Sequence, residues 1–391
     1  MRAPEKAVIA LLDKAGSPDH SFVSGMLAGT LARDPGTRVV LLVSREHWLE
    51  KVKPFRHHGA VCVPALLPRR HLGRLLNYIA TRMLVRRLTS WLSRRGTGRV
   101  ALVVRNDPVL LFGASHEKAA AESLVFQSSF PHEVVAQGVK RWLALWCYRR
   151  SGRNIDSVLA VSPLGLARVR RLFPGAPLGC YIPLLSDRAK VRAVASLESR
   201  GPIKFIYAGS HDPMRQLDVV VEAIVDAKMP AEIATFTFLG GSQQAVESLR
   251  AQVPAIQAFE AAGAIRFLPS VSRGRVFDIL DQHDVGISLI PPLRIYEEAS
   301  PTKLAEYMSS GLAVLASDGI ALQEEYVRAA GCGIITEFEA GAITKTIGII
   351  VSDRARIEMW KRSSIEFANR NFSYGIYEKK MNELLWKNRE P

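Results

Sequence analysis

Short runs of apolar and β-branched residues recur along the chain, with segments of helical spacing between them. The eight clearest runs lie at 6–12, 37–44, 99–105, 157–162, 203–209, 235–240, 284–290 and 312–317. Continuous apolar runs of this length are typical of strands that are buried on both faces of a parallel sheet. Their alternation with helical segments, repeated twice over, predicts an α/β protein with two doubly wound, Rossmann-like domains.

A polar segment at 183–202, with proline and glycine near its ends, separates the two sets of runs. The chain has 391 residues, which is long for one ordinary domain. We therefore predict an N-terminal domain over 1–185 and a C-terminal domain over 186–373. The segment 374–391 has apolar positions at helical spacing and is predicted to form a helix that could pack back on the N-terminal domain.

Charge is distributed unevenly along the chain. Residues 1–200 contain 32 lysines and arginines against 13 acidic residues, and the remainder contains 20 against 24. Segments 69–95 and 139–150 place leucine and tryptophan among arginines, a pattern typical of membrane interfaces. We expect the N-terminal domain to bind an anionic membrane surface. The alternative is that these helices pack on the first sheet and expose their arginines to water.

Composition excludes several other classes. The four cysteines are far apart and indicate neither a zinc site nor a disulfide framework, as expected in a reducing cytosol. No stretch approaches the roughly 18 apolar residues that a spanning helix needs. No Asp-x-Asp motif for a carboxylate-held metal occurs. We expect a cytoplasmic protein, peripheral on the inner face of the membrane, that needs neither metal nor cofactor.

One segment of the second half carries the most specific chemical signal. Ser300 is a good N-cap residue and Pro301 suits a first helical position, so a helix is predicted from about 301 to 310. The free N–H groups of such a helix start bind anions. Glu306 should lie off the apolar stripe, where its carboxylate can accept hydrogen bonds from sugar hydroxyls. Lys303 opposes the helix dipole, unless an anion binds beside it.

Glu298 and Glu306 stand eight positions apart, and the segment "SPTKLAEYMSSGLAVLAS" around the second one resembles a known site. It is similar to the donor-site helix of retaining, nucleotide-sugar-dependent glycosyltransferases of family 4 (glycosyl transferases group 1), which have the GT-B fold. The resemblance extends over 207–224 and 267–291. It implies two Rossmann-like domains that face a central cleft, with Glu306 on the ribose of the donor and Glu298 against its sugar.

The sequence departs from the family in the loop after 203–208. Gly209 matches the family's glycine, but Ser210 stands where an arginine that grips the diphosphate is usual, and Arg215 takes the place of a lysine. One of the two cationic contacts is thus retained. Gly16 is a candidate for close approach to the donor, although its loop lacks paired glycines. The segment "VFQSSFPHEVV" resembles one that presents a histidine to the reacting sugar, which implies His132; the alternative is an ordinary loop histidine.

The resemblance therefore implies two groups of site residues. The catalytic residues are Glu298 and His132. The donor-binding residues are Glu306, Arg215, Gly209, Ser210, Ser300, Thr302, Lys303 and Gly16.

The predicted activity is transfer of a sugar from a nucleoside-diphosphate sugar to a hydroxyl acceptor, with retention of the anomeric configuration. The expected acceptor is a saccharide or a lipid-linked saccharide in surface polysaccharide or glycolipid synthesis. The alternatives are a basic nucleic-acid-binding protein, a sugar-nucleotide epimerase on the same fold, and an inactive scaffold. No zinc, RNA-recognition or helix-turn-helix signature accompanies the arginines, so nucleic acid is not an expected partner.

Overall fold

The computed structural model of the protein describes residues 5–12, 20–44, 54–66, 73–186, 188 and 201–386. Gly16 and most of the predicted linker 183–202 lie outside these residues. The chain divides into two compact units. Unit 1 comprises Met1–Leu184, Glu298–Ser300 and Tyr374–Pro391, and unit 2 comprises Leu185–Glu297 and Pro301–Ser373. No helix in the described part of the chain is both long enough and apolar enough to cross a membrane.

Unit 1 is built on an eight-stranded sheet. Its strands are β1 Lys6–Leu11, β2 Thr37–Ser44, β3 Phe55–His57, β4 Ala60–Leu66, β5 Arg99–Arg105, β6 Ser123–Ser128, β7 Ser157–Ala160 and β8 Leu178–Tyr181. They lie in the order β3-β4-β2-β1-β5-β6-β7-β8. The edge strand β3 runs antiparallel to β4, and the other neighbours are parallel.

Helices cover both faces of this sheet. They are α1 Gly73–Ser93, α2 Pro108–Ser115, α3 His132–Val135, α4 Gly138–Ser151 and α5 Pro163–Leu172, with a π-helical turn at Phe22–Ala28 and 3-10 turns at Leu31–Arg33, Lys118–Ala120 and Gly152–Asn154. Asp107 after β5 accepts hydrogen bonds from the N–H groups of Val109 and Leu110, and Ser162 after β7 accepts one from Gly165. Each cap precedes a proline, so the sequence itself fixes where α2 and α5 begin.

Unit 2 contains a second sheet, of six parallel strands. These are β9 Ile203–Ala208, β10 Ala234–Leu239, β11 Ile265–Leu268, β12 Val285–Ser288, β13 Ala313–Ser317 and β14 Gly333–Thr336, in the order β11-β10-β9-β12-β13-β14. The helices are α6 Leu217–Ala227, α7 Gln243–Gln252, α8 Ile256–Ala261, α9 Arg273–Leu280, α10 Thr302–Ser309, α11 Ala321–Ala330, α12 Ala340–Val351 and α13 Arg354–Asn371, and Pro213–Arg215 forms a 3-10 turn. The prediction of an α/β fold with two doubly wound sheets is confirmed.

The end of the chain belongs to unit 1. A 3-10 turn at Tyr374–Tyr377 leads into α14 Glu378–Leu385. The Ser123 hydroxyl donates to the carbonyl of Leu385 at 2.5 Å, and the Ser157 hydroxyl donates to the carbonyl of Leu384 at 3.1 Å. Two strand serines thus satisfy carbonyl groups in the last turn of α14, which would otherwise lack partners.

Six strands are absent from the sequence-based prediction. Four of them, β3, β8, β11 and β14, are the outer strands of the two sheets. Each is only three or four residues long. Outer strands bury less surface and therefore lack the long apolar run that identifies a central strand. Of the other two, β4 contains a proline, and β6 begins and ends with serine.

A buried ion pair supports unit 2. The Lys361 amine lies 3.1 Å from a carboxylate oxygen of Asp284, and the two side chains are 1% and 3% exposed. The other oxygen of Asp284 accepts a hydrogen bond from the N–H group of Lys204 at 3.0 Å, at the start of the central strand β9. The pair thus ties α13 to the sheet.

We predict that Lys361→Met lowers the free energy of unfolding by about 3–5 kcal/mol, because it leaves the Asp284 carboxylate buried without its cation. Chemical denaturation measures this change. The matched control is Lys345→Met, which replaces an exposed lysine of α12 and should change stability by less than about 0.5 kcal/mol. Equal stability of the two variants would contradict the assigned role.

Candidate functional site

Helix α10 begins one residue later than predicted. Its N-cap is Pro301, with no side-chain cap, and its first residue is the half-buried Thr302. The prediction of Ser300 as the N-cap was wrong, because its hydroxyl instead accepts a hydrogen bond from the N–H group of Leu184 at 2.7 Å, within unit 1. The first N–H groups of α10 retain the anion-binding character of a helix start.

Glu306 is held by an arginine that the sequence analysis did not single out. Its carboxylate accepts a hydrogen bond from Arg273 at 2.8 Å, and the residue is only 7% exposed. Arg273 is the first residue of α9, which follows β11. Because Arg273 balances its charge, the Glu306 carboxylate can remain ionised in a largely buried position. A carboxylate fixed in this way is a good acceptor for sugar hydroxyls.

Lys303 lies directly across the backbone of Gly209, at the carboxyl end of β9. Its amine donates to the Tyr207 hydroxyl at 3.2 Å and lies 4.7 Å from the centre of that ring. A Cβ atom on residue 209 would lie 2.2 Å from the amine, so any larger residue there would displace the Lys303 side chain from this position. Burial, followed by the charge of Arg215, lowers the pKa of Lys303 from 10.5 to about 7.

Arg215 supplies a second cation beside Lys303. Its guanidinium carbon lies 4.8 Å from the centre of the Tyr296 ring, and its Nε atom lies 3.8 Å from the nearer oxygen of Asp212. The Ser210 hydroxyl donates to that same oxygen of Asp212 at 2.6 Å. Ser210 is therefore tied to the loop, while the two cations repel each other and favour an anion between them.

His211 completes this cluster. Its ring packs against the rings of Tyr207, Phe238 and Phe267, with centroids 5.8, 6.2 and 6.2 Å apart. A Cβ atom on Gly241 would lie 2.0 Å from its Nδ1 atom. Both ring nitrogens are buried and accept or donate no hydrogen bond within the described residues. Burial and then the charge of Lys303 lower the pKa of His211 to about 4, so the ring is neutral at pH 7.

Unit 1 has its own polar cluster at the carboxyl ends of its strands. Arg168 of α5 donates from Nε to the Glu298 carboxylate at 2.6 Å, from Nη2 to the Ser128 hydroxyl at 2.8 Å, and from Nη1 to the Glu133 carboxylate. The Ser162 hydroxyl donates to the Glu298 carbonyl at 2.7 Å. These contacts fix the orientation of Glu298 in unit 1.

A second network lies at the ends of β5 and β6. Arg105 donates to the Ser129 hydroxyl at 2.9 Å and lies 2.8 Å from Nε2 of His20. Asn106, with a positive φ of 58°, accepts a hydrogen bond from the N–H group of Ser129 at 2.7 Å. His132 begins α3, where it lines a cavity of about 90 Å³ together with residues that include Asp107 and Lys140.

The structure brings some of the predicted site residues together. Glu306, Lys303, Thr302, Arg215, Gly209 and Ser210 belong to unit 2, and Glu298, Ser300 and His132 belong to unit 1. Gly16 lies outside the described residues. In the part of the chain that the structure describes, no group of three or more His, Cys, Asp and Glu side chains could hold a metal ion.

Sequence reasoning missed several residues of both clusters. Arg273 lies inside the segment 267–291 that resembles the family, so a signal for it existed. His211 follows the Gly209 loop directly. Glu133 lies inside the segment "VFQSSFPHEVV", so a signal for it existed as well. Arg168 had no such signal, because its contacts with Glu133 and Glu298 join residues that are 35 and 130 positions apart.

Comparison with known proteins identifies the family to which part of the chain belongs. The profile of the glycosyl transferases group 1 family matches residues 192–367. A search of curated proteins found no match.

Similar solved structures cover nearly the whole chain. The sucrose-phosphate synthase of Thermosynechococcus elongatus has 16% identity and a TM-score of 0.73, covering 96% of this chain and 98% of that chain. The Anabaena protein HepE in complex with UDP-glucose has 15% identity and a TM-score of 0.68, covering 96% and 98%. WaaG, a glycosyltransferase involved in lipopolysaccharide biosynthesis, has 15% identity and a TM-score of 0.66, covering 97% and 99%.

At these identities the solved structures establish the fold, and the family profile assigns the domain that carries the Lys303 and Glu306 helix. Residues 192–367 therefore form a glycosyl transferases group 1 domain, and the chain has the GT-B fold of glycosyltransferases.

Proposed function

We propose that the protein transfers a sugar from a nucleoside-diphosphate sugar to a hydroxyl acceptor, with retention of the anomeric configuration and without a metal ion or cofactor. One observation carries the proposal: the cations of Lys303 and Arg215 lie together at the carboxyl end of β9, beside the start of α10. Such a site fits a diphosphate, whose charge both cations and the helix dipole favour.

Each residue of the unit 2 cluster has a role in this proposal. Lys303 and Arg215 stabilise the negative charge that develops on the diphosphate as its bond to the anomeric carbon breaks. Glu306, oriented by Arg273, accepts hydrogen bonds from the ribose hydroxyls. Ser210 stands at the position where the family usually has an arginine, so no cation is present there. Lys303, whose amine lies beside Gly209, supplies the missing positive charge.

The ligands of similar structures support uridine diphosphate as the nucleotide. HepE is described in complex with UDP and with UDP-glucose, and a trehalose-phosphate synthase of Burkholderia vietnamiensis is described as UDP-forming. The resemblance of 298–306 to the family supports Glu298 as the residue that contacts the donor sugar. His132 is proposed to face the reacting centre from unit 1. The acceptor oxygen replaces the diphosphate on the same face of the anomeric carbon, and its proton leaves with the diphosphate.

An exposed aromatic surface on unit 1 supports a lipid-linked acceptor. Trp142 and Trp146 of α4 are 64% and 37% exposed and stack 6.5 Å apart. Trp146 contacts Phe112 of α2 at 4.9 Å, and Phe112 stacks on Tyr78 of α1 at 5.2 Å. This run of rings crosses three helices, two of which, α1 and α4, also carry several arginines, so it fits an anionic membrane interface. We propose peripheral binding on the cytoplasmic face, near an acceptor for polysaccharide or glycolipid synthesis.

The family match favours this proposal over the alternatives. A nucleic-acid-binding protein would use the basic residues of unit 1 but would leave the cluster around Lys303 unexplained. An epimerase of the same fold would bind the same nucleotide sugar without an acceptor. An inactive scaffold would bind neither, so ligand binding followed by product analysis separates all four.

A nucleotide panel tests the donor site. We expect uridine diphosphate to raise the melting temperature more than guanosine or adenosine diphosphate does. Glu306→Gln should weaken binding by roughly 1.5–3 kcal/mol, about 10- to 150-fold, because the charged acceptor for ribose hydroxyls is lost. The control Glu325→Gln changes an exposed glutamate of α11 and should bind normally. Failure of all three nucleotides to bind would refute the proposal.

The lowered pKa of Lys303 predicts a pH dependence. Affinity for a nucleotide sugar, whose diphosphate ester keeps its charge, should fall about tenfold or more from pH 7 to pH 9, as the amine of the free protein loses its proton. Among the groups around it, the pKa of His211 at about 4 and the raised pKa of Tyr207 keep both from titrating in this range. Isothermal titration calorimetry measures the profile. Lys303→Met should bind weakly at pH 7 with a flat profile, whereas a steep profile in that variant would contradict the assignment.

Vesicle binding tests the membrane surface. We predict that Val139→Ser with Trp142→Ser weakens binding to phosphatidylglycerol vesicles by roughly tenfold or more, because these side chains are 80% and 64% exposed and would be buried in the interface. The control pair Ile349→Ser with Met359→Ser replaces exposed apolar residues of unit 2. Equal loss in both double variants, measured by vesicle co-sedimentation, would exclude this surface.

A further inference from the structure

Unit 1 contains a groove that no role in sugar transfer uses. It has a volume of about 870 Å³ and lies between the second half of α1 and strands β2, β3 and β4. This volume is within the range of ligand-binding pockets, roughly 300–1,000 Å³. The apolar residues that line it are Val40, Pro54, Val61, Val63, Met83, Leu84, Leu88 and Trp91.

The groove exists because α1 covers the sheet edge incompletely. Val61 and Val63 lie in register with Val40 and Leu42 of β2, so all four side chains point to one face of the sheet. In a fully covered parallel sheet this face would be buried. Val61 and Val63 instead remain half exposed and contribute to the groove wall.

Helix α1 presents two apolar faces. Val85 and Leu92 are fully buried in the core. Leu84, Leu88 and Trp91 follow the same helical spacing on a neighbouring face, and all three line the groove. Leu84 and Leu88 are only partly buried against the core, and Trp91 is 36% exposed, so apolar surface on this face remains available for a further contact.

Positive charge is concentrated on this groove. Five arginines line it, and the described lining contains no acidic residue: Arg38, Arg56, Arg86, Arg87 and Arg94. None of the five forms an ion pair with a carboxylate among the residues that the structure describes. Five uncompensated cations around an apolar floor complement a ligand with an anionic head and an apolar tail.

The groove lies at the opposite edge of the sheet from the polar clusters of unit 1. Arg38 and Val40 are the second and fourth residues of β2, and Val61 is the second residue of β4. The groove thus lies toward the amino ends of parallel strands, whereas Arg105 and Ser128 are at the carboxyl ends of theirs. A ligand bound there would not occupy the reacting centre, which open α/β sheets place at their carboxyl edge.

We propose that this groove binds one molecule of an anionic membrane phospholipid, with an acyl chain on the apolar floor and the phosphate on the arginines. The inference rests on the membrane association proposed above, which supplies the lipid. Leu76, Ile79 and Met83 form an exposed apolar stripe on α1. The stripe links the proposed membrane surface of Trp142 and Trp146 to the groove, because Met83 also lines the groove. The bound lipid acts as an anchor for unit 1 and takes no part in sugar transfer.

The test uses the full chain and soluble lipid probes below their aggregation concentrations. Native mass spectrometry and calorimetry should show one lauroyl lysophosphatidylglycerol bound per chain, with affinity rising about fourfold for each added methylene. Lauroyl lysophosphatidylcholine should bind at least tenfold more weakly, because the arginines repel its choline. Glycerophosphoglycerol, the head without the chain, should not bind measurably. Equal affinity for the two lysolipids, or binding of the head alone, would overturn the proposal.

Variants locate the binding site. Arg87→Ser with Arg94→Ser removes two groove cations, and Val63→Trp fills the groove; each should weaken lysophosphatidylglycerol at least tenfold. The control Arg149→Ser with Arg150→Ser removes the same charge from α4 and should change the affinity by less than twofold. If the control pair weakens lysophosphatidylglycerol binding as much as the groove pair does, the lipid binds elsewhere and the inference is wrong. If Val63→Trp fails to fold, the exposed arginine pair still decides.

Nucleotide-sugar binding, measured on the same samples without lipid, separates this inference from the proposed function. Normal nucleotide-sugar affinity in the groove variants is expected. Lipid binding without nucleotide-sugar binding would refute only the proposed transfer reaction. Nucleotide-sugar binding without lipid binding would refute only the proposal that the groove binds a phospholipid.

Discussion

The position of the Lys303 amine constrains the whole candidate donor site. It lies across Gly209 and against the Tyr207 ring, so the amine loses much of its hydration, and a side chain at residue 209 would displace it. Arg215 adds a second positive charge nearby. The lost hydration and the charge of Arg215 together make the protonated amine unfavourable in the free protein. An anion bound at the start of α10 would remove that cost. The arrangement therefore favours a ligand with concentrated negative charge, as a diphosphate has.

Charge complementarity operates at two scales in this protein. In unit 2 a few partly buried cations and one fixed carboxylate lie close together, and we propose that they bind a small ligand. In unit 1 the excess of basic residues lies on exposed helices, mixed with tryptophan, leucine and methionine, where it suits an extended anionic surface. Screening by salt acts strongly on the exposed charges and weakly on the buried ones, so the two kinds of binding should respond differently to ionic strength.

Local sequence patterns allowed eight of the interior strands and the α10 helix to be predicted, because these signals come from neighbouring residues, but not the interior strands β4 and β6. They did not allow the outer strands to be predicted, since these are short and weakly apolar. The same limit applies to the site. Lys303, Arg215 and Glu306 were predicted as site residues from their spacing and their resemblance to a family, and this assignment stays a prediction. Arg168 could not be found, because its partners Glu133 and Glu298 are remote in sequence and only the folded chain brings them together. The prediction of Ser300 as the N-cap of α10 was also wrong, because its hydroxyl accepts a hydrogen bond from the backbone N–H group of Leu184 instead.

The most direct test of the central claim is a nuclear magnetic resonance titration of the Lys303 side-chain amine, with and without a saturating nucleotide sugar. The account predicts a pKa near 7 in the free protein. On binding, the pKa should rise by at least about one unit, because the diphosphate stabilises the protonated amine. An unchanged pKa in the saturated complex, or an ordinary lysine pKa in the free protein, would contradict the assignment of Lys303 to the diphosphate site.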